Sequence, residues 1–202
     1  MKDRCFIGLV FLLFFNTTQI ITASNKCEHR ILEDGEKLSR NYILYLHNEH
    51  RTMVVNGTIK GQPKASAASM NMLKWDPKLE DLAAEVSRSC EFKHVDVNTT
   101  EFPNGLGQNL FRSCSNKRRK QNWKKVIGDW YNENRIYRFP DEPTISNGHY
   151  TQLIWGKTKF VGCAYTEYFR GNSTKLPYCT LYVCHYAPRG NVVGETPYKP
   201  AG

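Results

Sequence analysis

The cysteines constrain this chain most. Seven are present, and one of them, Cys5, falls in a segment that reads as a removable leader. Lys2 and Arg4 precede the apolar run from Phe6 to Phe15, and Ala23 offers a small residue for cleavage, which is the pattern of a secretory signal peptide. The run is too short to cross a bilayer, and no later segment is apolar enough to do so. The expectation is a secreted, extracellular protein with a leader at 1–23, an N-terminal extension at 24–37 and a single domain at 38–202. Removing the leader leaves Cys27, Cys90, Cys114, Cys163, Cys179 and Cys184. An even set in an oxidising compartment reads as disulfides. Zinc is the other use of clustered cysteine, but no close Cys-x-x-Cys pair exists.

The rest of the composition agrees with secretion. Asn56, Asn98 and Asn172 each begin an Asn-x-Ser/Thr glycosylation sequon in turn-like surroundings. Formal charge is +9, of which Lys2 and Arg4 against Asp3 account for +1, leaving +8 after cleavage. Such a charge favours anionic partners, either glycosaminoglycans or acidic lipid surfaces. Nucleic acid is disfavoured by the compartment and by the lack of a binding motif.

Periodicity outlines the elements. Ile43, Leu44 and Leu46 suggest a helix from Ser39 to about Arg51, and Gly57, Gly61 and Pro63 mark residues 56–69 as loop. Asp76 as N-cap and Pro77 in the first turn open a second helix with Leu79, Leu82, Ala83 and Val86 on one face. Trp123, Val126, Ile127, Trp130 and Tyr131 give the same spacing in a third. Alternating aromatic and β-branched residues over 160–169 and 181–186, with Gly171-Asn172 able to turn between them, read as paired antiparallel strands. No internal repeat is visible.

Two signatures then stand out: Gly148-His149-Tyr150-Thr151-Gln152-Leu153-Ile154-Trp155, and Tyr182-Val183-Cys184-His185-Tyr186-Ala187-Pro188-Arg189-Gly190-Asn191. With Trp75-Asp76-Pro77, Cys90, His94, Gly107-Gln108-Asn109-Leu110, Gly162-Cys163-Ala164 and Pro197-Tyr198-Lys199, they fall in the order of the CAP superfamily. That superfamily comprises the cysteine-rich secretory, antigen 5 and pathogenesis-related proteins, also called SCP/TAPS. The chain resembles it over roughly residues 38 to 202, and most resembles the venom allergen-like members of parasitic flatworms. The resemblance implies an α+β fold, a three-layer α-β-α sandwich with a central antiparallel sheet. It also implies the bridges Cys163–Cys184, which strand alternation favours too, and Cys90–Cys179, leaving Cys27–Cys114. Spacing alone leaves the connectivity open.

The same resemblance implies a cleft of two histidines and two acids that binds zinc or another divalent ion in some members. His94 and His149 hold the histidine positions and Glu133 one acid, but Gln108 stands where the family usually has glutamate. A neutral amide is a poorer ligand than carboxylate and no base at all. No cofactor is therefore expected to be required, metal at His94 and His149 is expected to be weak, and restoring a carboxylate at 108 to strengthen it. The plainer alternative is that the four side chains form a structural hydrogen-bond network. Catalysis is disfavoured, because Ser113, Ser115 and Ser146 lack the strained strand-to-helix turn of a nucleophile elbow.

Family likeness further implies a carrier of sterol or fatty acid. The sterol would use the loop before the first signature, here Tyr137 to Asn147, with Tyr137, Phe139, Pro140, Pro143 and Ile145. Thr144 departs from the family's aromatic spacing there. A fatty acid would lie between helices along Tyr42, Leu46, Trp123, Ile127 and Trp130, although the same stripe is what an amphipathic helix buries in a core. A third possibility is an interaction protein using Lys117-Arg118-Arg119-Lys120, Lys124 and Lys125 to hold a glycosaminoglycan, or binding a host receptor. The expected function is non-enzymatic lipid binding.

Overall fold

The computed structural model describes residues 36–202 except 98, 172 and 173. Cys27, the expected leader and the sequons at Asn98 and Asn172 thus lie outside the described residues. Asn56 is exposed, as glycan attachment requires.

Four strands form one sheet in the order β1-β3-β4-β2: β1 Lys74–Trp75, β2 Gly107–Ser115, β3 Phe160–Phe169 and β4 Tyr178–Ala187. β3–β4 and β4–β2 are antiparallel, but the two-residue β1 runs parallel to β3. The sheet is therefore mixed at one edge rather than wholly antiparallel as expected. β4 is buried at every position after its first because it has a strand on each side and helices on both faces. That burial explains its near-continuous apolar and aromatic reading.

Alternation along the strands divides the core in two. Val161, Cys163, Tyr182, Cys184 and Tyr186 face α1 (Glu36–Asn56), α3 (Trp123–Asn132) and α4 (Gly148–Leu153), packing against Ile43, Leu46, Ile127 and Trp130. Ala164, Tyr168, Leu181 and Val183 face α2 (Pro77–Arg88), where Ala83 and Val86 meet them. The start of α2 is fixed as the sequence indicates, with Asp76 Oδ1 accepting from Lys78 N at 2.8 Å and Leu79 N at 3.1 Å. Gly162 lets the helix approach. A Cβ at that position would stand 2.2 Å from Glu80 N.

α1 runs beyond the expected end at Arg51 because its last turns carry buried groups. Val54 joins the core, and Arg51, fully buried, donates to the carbonyls of Asn71 at 2.8 Å, Leu153 at 2.7 Å and Trp155 at 2.9 Å. Burial pulls the guanidinium down to about 9, so it remains a cation at neutral pH. It sits where the last carbonyls of α4 and the turn after it need donors. Gly57, at φ +69°, then ends the helix.

Two of the expected bridges are corrected. Cys114 is bonded to Cys179, not to Cys27, because the β2–β4 register places the two directly opposite with Cα atoms 4.1 Å apart. Cys90 is disulfide-bonded, and its partner is not Cys179. Cys163–Cys184 is present as expected, again between facing residues 4.1 Å apart at Cα. Both separations fall just short of the usual span of a bridge, as the close approach of facing residues in an antiparallel ladder dictates.

Candidate functional site

An open cleft of about 640 Å³ lies at the end of the sheet where β2 begins. Residues 92–96 and the segment 106–110 line one side, and α4 with its preceding loop and residues 189–191 line the other. Three of the four expected cleft residues, His94, Gln108 and His149, line it directly. Glu133 stands behind His149.

Gln108 is not a vacant ligand position. Its Oε1 accepts from Val95 N at 3.3 Å and its Nε2 donates to Val95 O at 3.4 Å. Because backbone N–H can only donate and C=O only accept, this pair fixes which end of the amide is which. Two consequences follow from chemistry alone. His94 Nδ1, 2.9 Å from Oε1, must carry a proton and donate; His185 Nε2, 2.8 Å from Gln108 Nε2, must be bare and accept. His185 is fully buried, and burial brings its pKa down to about 4 against a smaller opposing influence of the Leu79 backbone. Its Nδ1 makes no hydrogen bond of normal geometry. A neutral imidazole is what the amide needs.

Glu133 has an equally structural task. Its Oε1 accepts from His149 Nδ1 at 2.6 Å, and its Oε2 accepts from the backbone N–H of His149 at 3.0 Å and of Tyr150 at 3.1 Å. The last two are first-turn amides of α4, so the carboxylate caps that helix in place of Asn147, whose side chain makes no cap bond. His149 is held flat against Trp130, ring centroids 5.9 Å apart. Behind it, Asn109 Nδ2 donates to His149 O at 3.1 Å and to Tyr186 Oη at 3.3 Å. Tyr186 in turn contacts the buried His47 at 3.0 Å.

As a metal site the arrangement is thin. Both histidines have Nδ1 engaged, which leaves only their Nε2 lone pairs, and the Glu133 oxygens are committed to α4. Zinc ordinarily takes three or four protein ligands. Among the described residues, the one group of three His, Cys, Asp or Glu ligand atoms lying together is His47, Cys163 and Cys184, and its two sulfurs form a disulfide. The residues present do not fit a tight zinc site. A carboxylate at 108 would sit against His94 Nδ1 and act on a metal only through that ring's basicity.

The serines are not brought to the histidine. Ser113 and Ser115 lie five and seven residues along β2 from Gln108, roughly 17 Å or more at strand rise, and Ser146 is exposed in the loop before α4. The Glu133–His149 pair thus has no hydroxyl hydrogen-bonded to it among the described residues.

The expected lipid residues separate. Tyr137 is buried beside Tyr150 and donates to Asp141 O at 3.0 Å, while Phe139 stacks on Tyr198 at 4.8 Å. Both anchor the loop to the core instead of presenting it to a ligand, and this corrects the sterol assignment for those two rings. Pro140 is exposed, Pro143 is half-buried and Ile145 is wholly exposed. Leu46, Trp123, Ile127 and Trp130 are core, and Tyr42 is half-exposed beside them. A gap bordered by Ile43, Trp75 and Trp123 holds only about 10 Å³, at the limit for one water. No acyl chain fits there. The sequence reading missed His185 and the exposed Phe92 and Val95. His185 adjoins Cys184 in the second signature and faces Gln108 across the β2–β4 ladder, a signal visible only once the register is known.

Known proteins share this fold. The model of the cysteine-rich secretory protein family, CAP, matches residues 44–186. Venom allergen 5 of Microctonus hyperodae is 32% identical over 86% of this chain and 77% of its own. Venom allergen 5.01 of Dolichovespula maculata is 33% identical over 98% and 87%. Among solved structures, Schistosoma mansoni venom allergen-like protein 4 superposes with a TM-score of 0.62 at 26% identity, covering 85% of this chain and 97% of that one. NaASP2, crystallised with Zn2+, gives 0.64 at 25%, covering 88% and 90%. These relatives and the disulfides indicate a secreted protein, and no helix among the described residues is long and apolar enough to cross a membrane. With a family match over residues 44–186 that takes in the first signature, the start of the second and His94, Gln108, Glu133 and His149, the chain belongs to the CAP superfamily of cysteine-rich secretory proteins, as a venom allergen-like member.

Proposed function

We propose that this protein is a non-enzymatic binder of an amphipathic lipid, a sterol or a fatty acid, and that the lipid lies in the central cleft. The observation that carries the reading is where exposed apolar surface collects. Phe92 is 49% exposed, Val95 48% and Ile145 100%, and all three border the one cleft that holds His94, Gln108 and His149. Apolar side chains left together on a surface mark binding sites, and neighbouring polar groups would orient a hydroxyl or carboxylate head. Among the described residues no serine is hydrogen-bonded to His149 or Glu133, which favours binding over hydrolysis. A divalent cation, if held, would meet two imidazole nitrogens and bind weakly.

The test is saturable, competable binding of a fluorescent sterol and of a fluorescent long-chain fatty acid. Val95→Ser with Ile145→Ser should weaken binding about tenfold or more, since each removes roughly 1–2 kcal/mol of apolar contact, without moving the thermal midpoint appreciably. Tyr137→Ser or Phe139→Ser should instead lower stability. Binding no greater than to heat-denatured protein, or unchanged by the cleft variants, refutes the reading.

A further inference from the structure

Away from the cleft, the sheet runs on past the end of its helical cover. Trp123 packs on Tyr182 with ring centroids 5.0 Å apart, and Tyr182 Oη accepts from Asn122 N at 3.0 Å, so α3 begins over Tyr182. The next pairs of the ladder on that face, Ser113–Thr180 and Ser115–Tyr178 with Phe169 alongside, floor a pocket of hydroxyls and aromatic rings in which Ser113, Phe169 and Tyr178 are exposed and Thr180 is buried. Residues 116–122 cross its rim. They bring Arg118, Arg119 and Lys120 to it, and Lys125 reaches over the Phe111 ring at 5.5 Å from the first turn of α3. The resulting pocket is about 190 Å³ and shares no lining residue with the cleft.

Its charge is one-sided. Four cations border it against one lining carboxylate, Glu167, which Arg118 engages at 3.2 Å. Lys125 pairs with Asp129 at 2.5 Å outside the pocket. Among the described residues Arg119 and Lys120 have no ion-pair partner. The pocket is smaller than a site that encloses a drug-sized ligand, but it admits one group of an extended chain whose remainder lies on the basic surface. The exposed rings of Phe169 and Tyr178 suit the C–H surface of a sugar, Ser113 and Ser115 suit its hydroxyls, and Arg119 with Lys120 suit its sulfates.

We propose that this pocket is a binding site for a sulfated glycosaminoglycan chain. The proposal is independent of the lipid reading. Calorimetric titration of the full chain with a heparin-derived octasaccharide at about 0.15 M salt tests it. Saturable binding is expected. Arg119→Glu with Lys120→Glu should weaken it about tenfold or more, whereas the same charge change at the exposed Lys60 and Lys64 should weaken it less than about threefold. Phe169→Ser should cost about threefold without altering the salt dependence, with unchanged thermal midpoints certifying the fold of each variant. Equal loss from both charge reversals would reduce the effect to the general field of the protein and overturn the proposal. So would displacement of the octasaccharide by equimolar inorganic sulfate, or capture by phosphatidylserine vesicles with no octasaccharide binding.

Discussion

Replacing Gln108 by glutamate supplies the carboxylate that the family resemblance implies at this position, and the structure says that this chain will be less stable for it. In the native protein the Gln108 Nε2 group donates to His185 Nε2 and to Val95 O. A carboxylate has no hydrogen to give. Val95 O is near solvent and can recruit water, but His185 is fully buried and its bare Nε2 would face an oxygen lone pair. A buried acceptor left without its donor costs about 1–3 kcal/mol. Protonating His185 would supply the missing donor, but with a pKa of about 4 this requires roughly 4 kcal/mol at pH 7 before the new carboxylate offsets part of it. The expected result is a loss of about 1–3 kcal/mol at pH 7.5, read by urea unfolding with the disulfides intact. The deficit should narrow towards pH 5, because the carboxylate raises the His185 pKa and a protonated ring can donate. Placing Gln108→Glu in a His185→Asn background provides the decisive comparison, since an asparagine amide can donate to a carboxylate. The glutamate should then cost about 1–2 kcal/mol less than it does opposite histidine, a coupling that a double-mutant cycle isolates. Equal stability of Gln108→Glu and the native protein at pH 7.5, with no coupling to residue 185, would refute the amide orientation and both histidine assignments.

Two further outcomes follow from buried cations and rings. Arg51→Met should destabilise the protein by about 3–5 kcal/mol in chemical denaturation, because it strands the carbonyls of Asn71, Leu153 and Trp155 that the guanidinium now satisfies. Acid should destabilise the native protein through His47 and His185, both lowered to about 4 by burial. Their folded pKa values lie below the unfolded 6.5, so the unfolded state takes up protons first and stability is lost as pH falls from about 6.5 to 4. Burial lowers His50 as well, so the slope should reach about two protons or more in stability measured against pH, and His47→Gln should reduce it by about one; a flat profile over that window would refute the neutral assignments.

The helical elements were largely legible because their signals are local. Asp76, Pro77 and the apolar face that follows specify α2 through contacts within a few residues, and the Trp123 to Tyr131 spacing does the same for α3. β2 was not legible as a strand. Its Gly107-Gln108-Asn109-Leu110 start is polar, and it is a strand because β4 offers it a ladder. The helix α1 was cut short at Arg51, since a cation reads as surface until the α4 carbonyls that bury it are known.

The same division runs through the site and the bridges. The sequence by itself determined the family, the two signatures and the cleft side chains His94, Gln108, Ile145 and His149, because motifs and composition survive without coordinates. Only the tertiary structure decided that Cys114 meets Cys179, since strand register is a pairing between segments 65 residues apart that neither segment encodes alone. It also decided that Tyr137 and Phe139 are anchors and that Gln108 is a clamp between two histidines of opposite hydrogen-bonding sense. Whether an aromatic ring binds a ligand or the core, and which end of an amide faces an imidazole, depends on what lies across the gap; that neighbour comes from elsewhere in the chain.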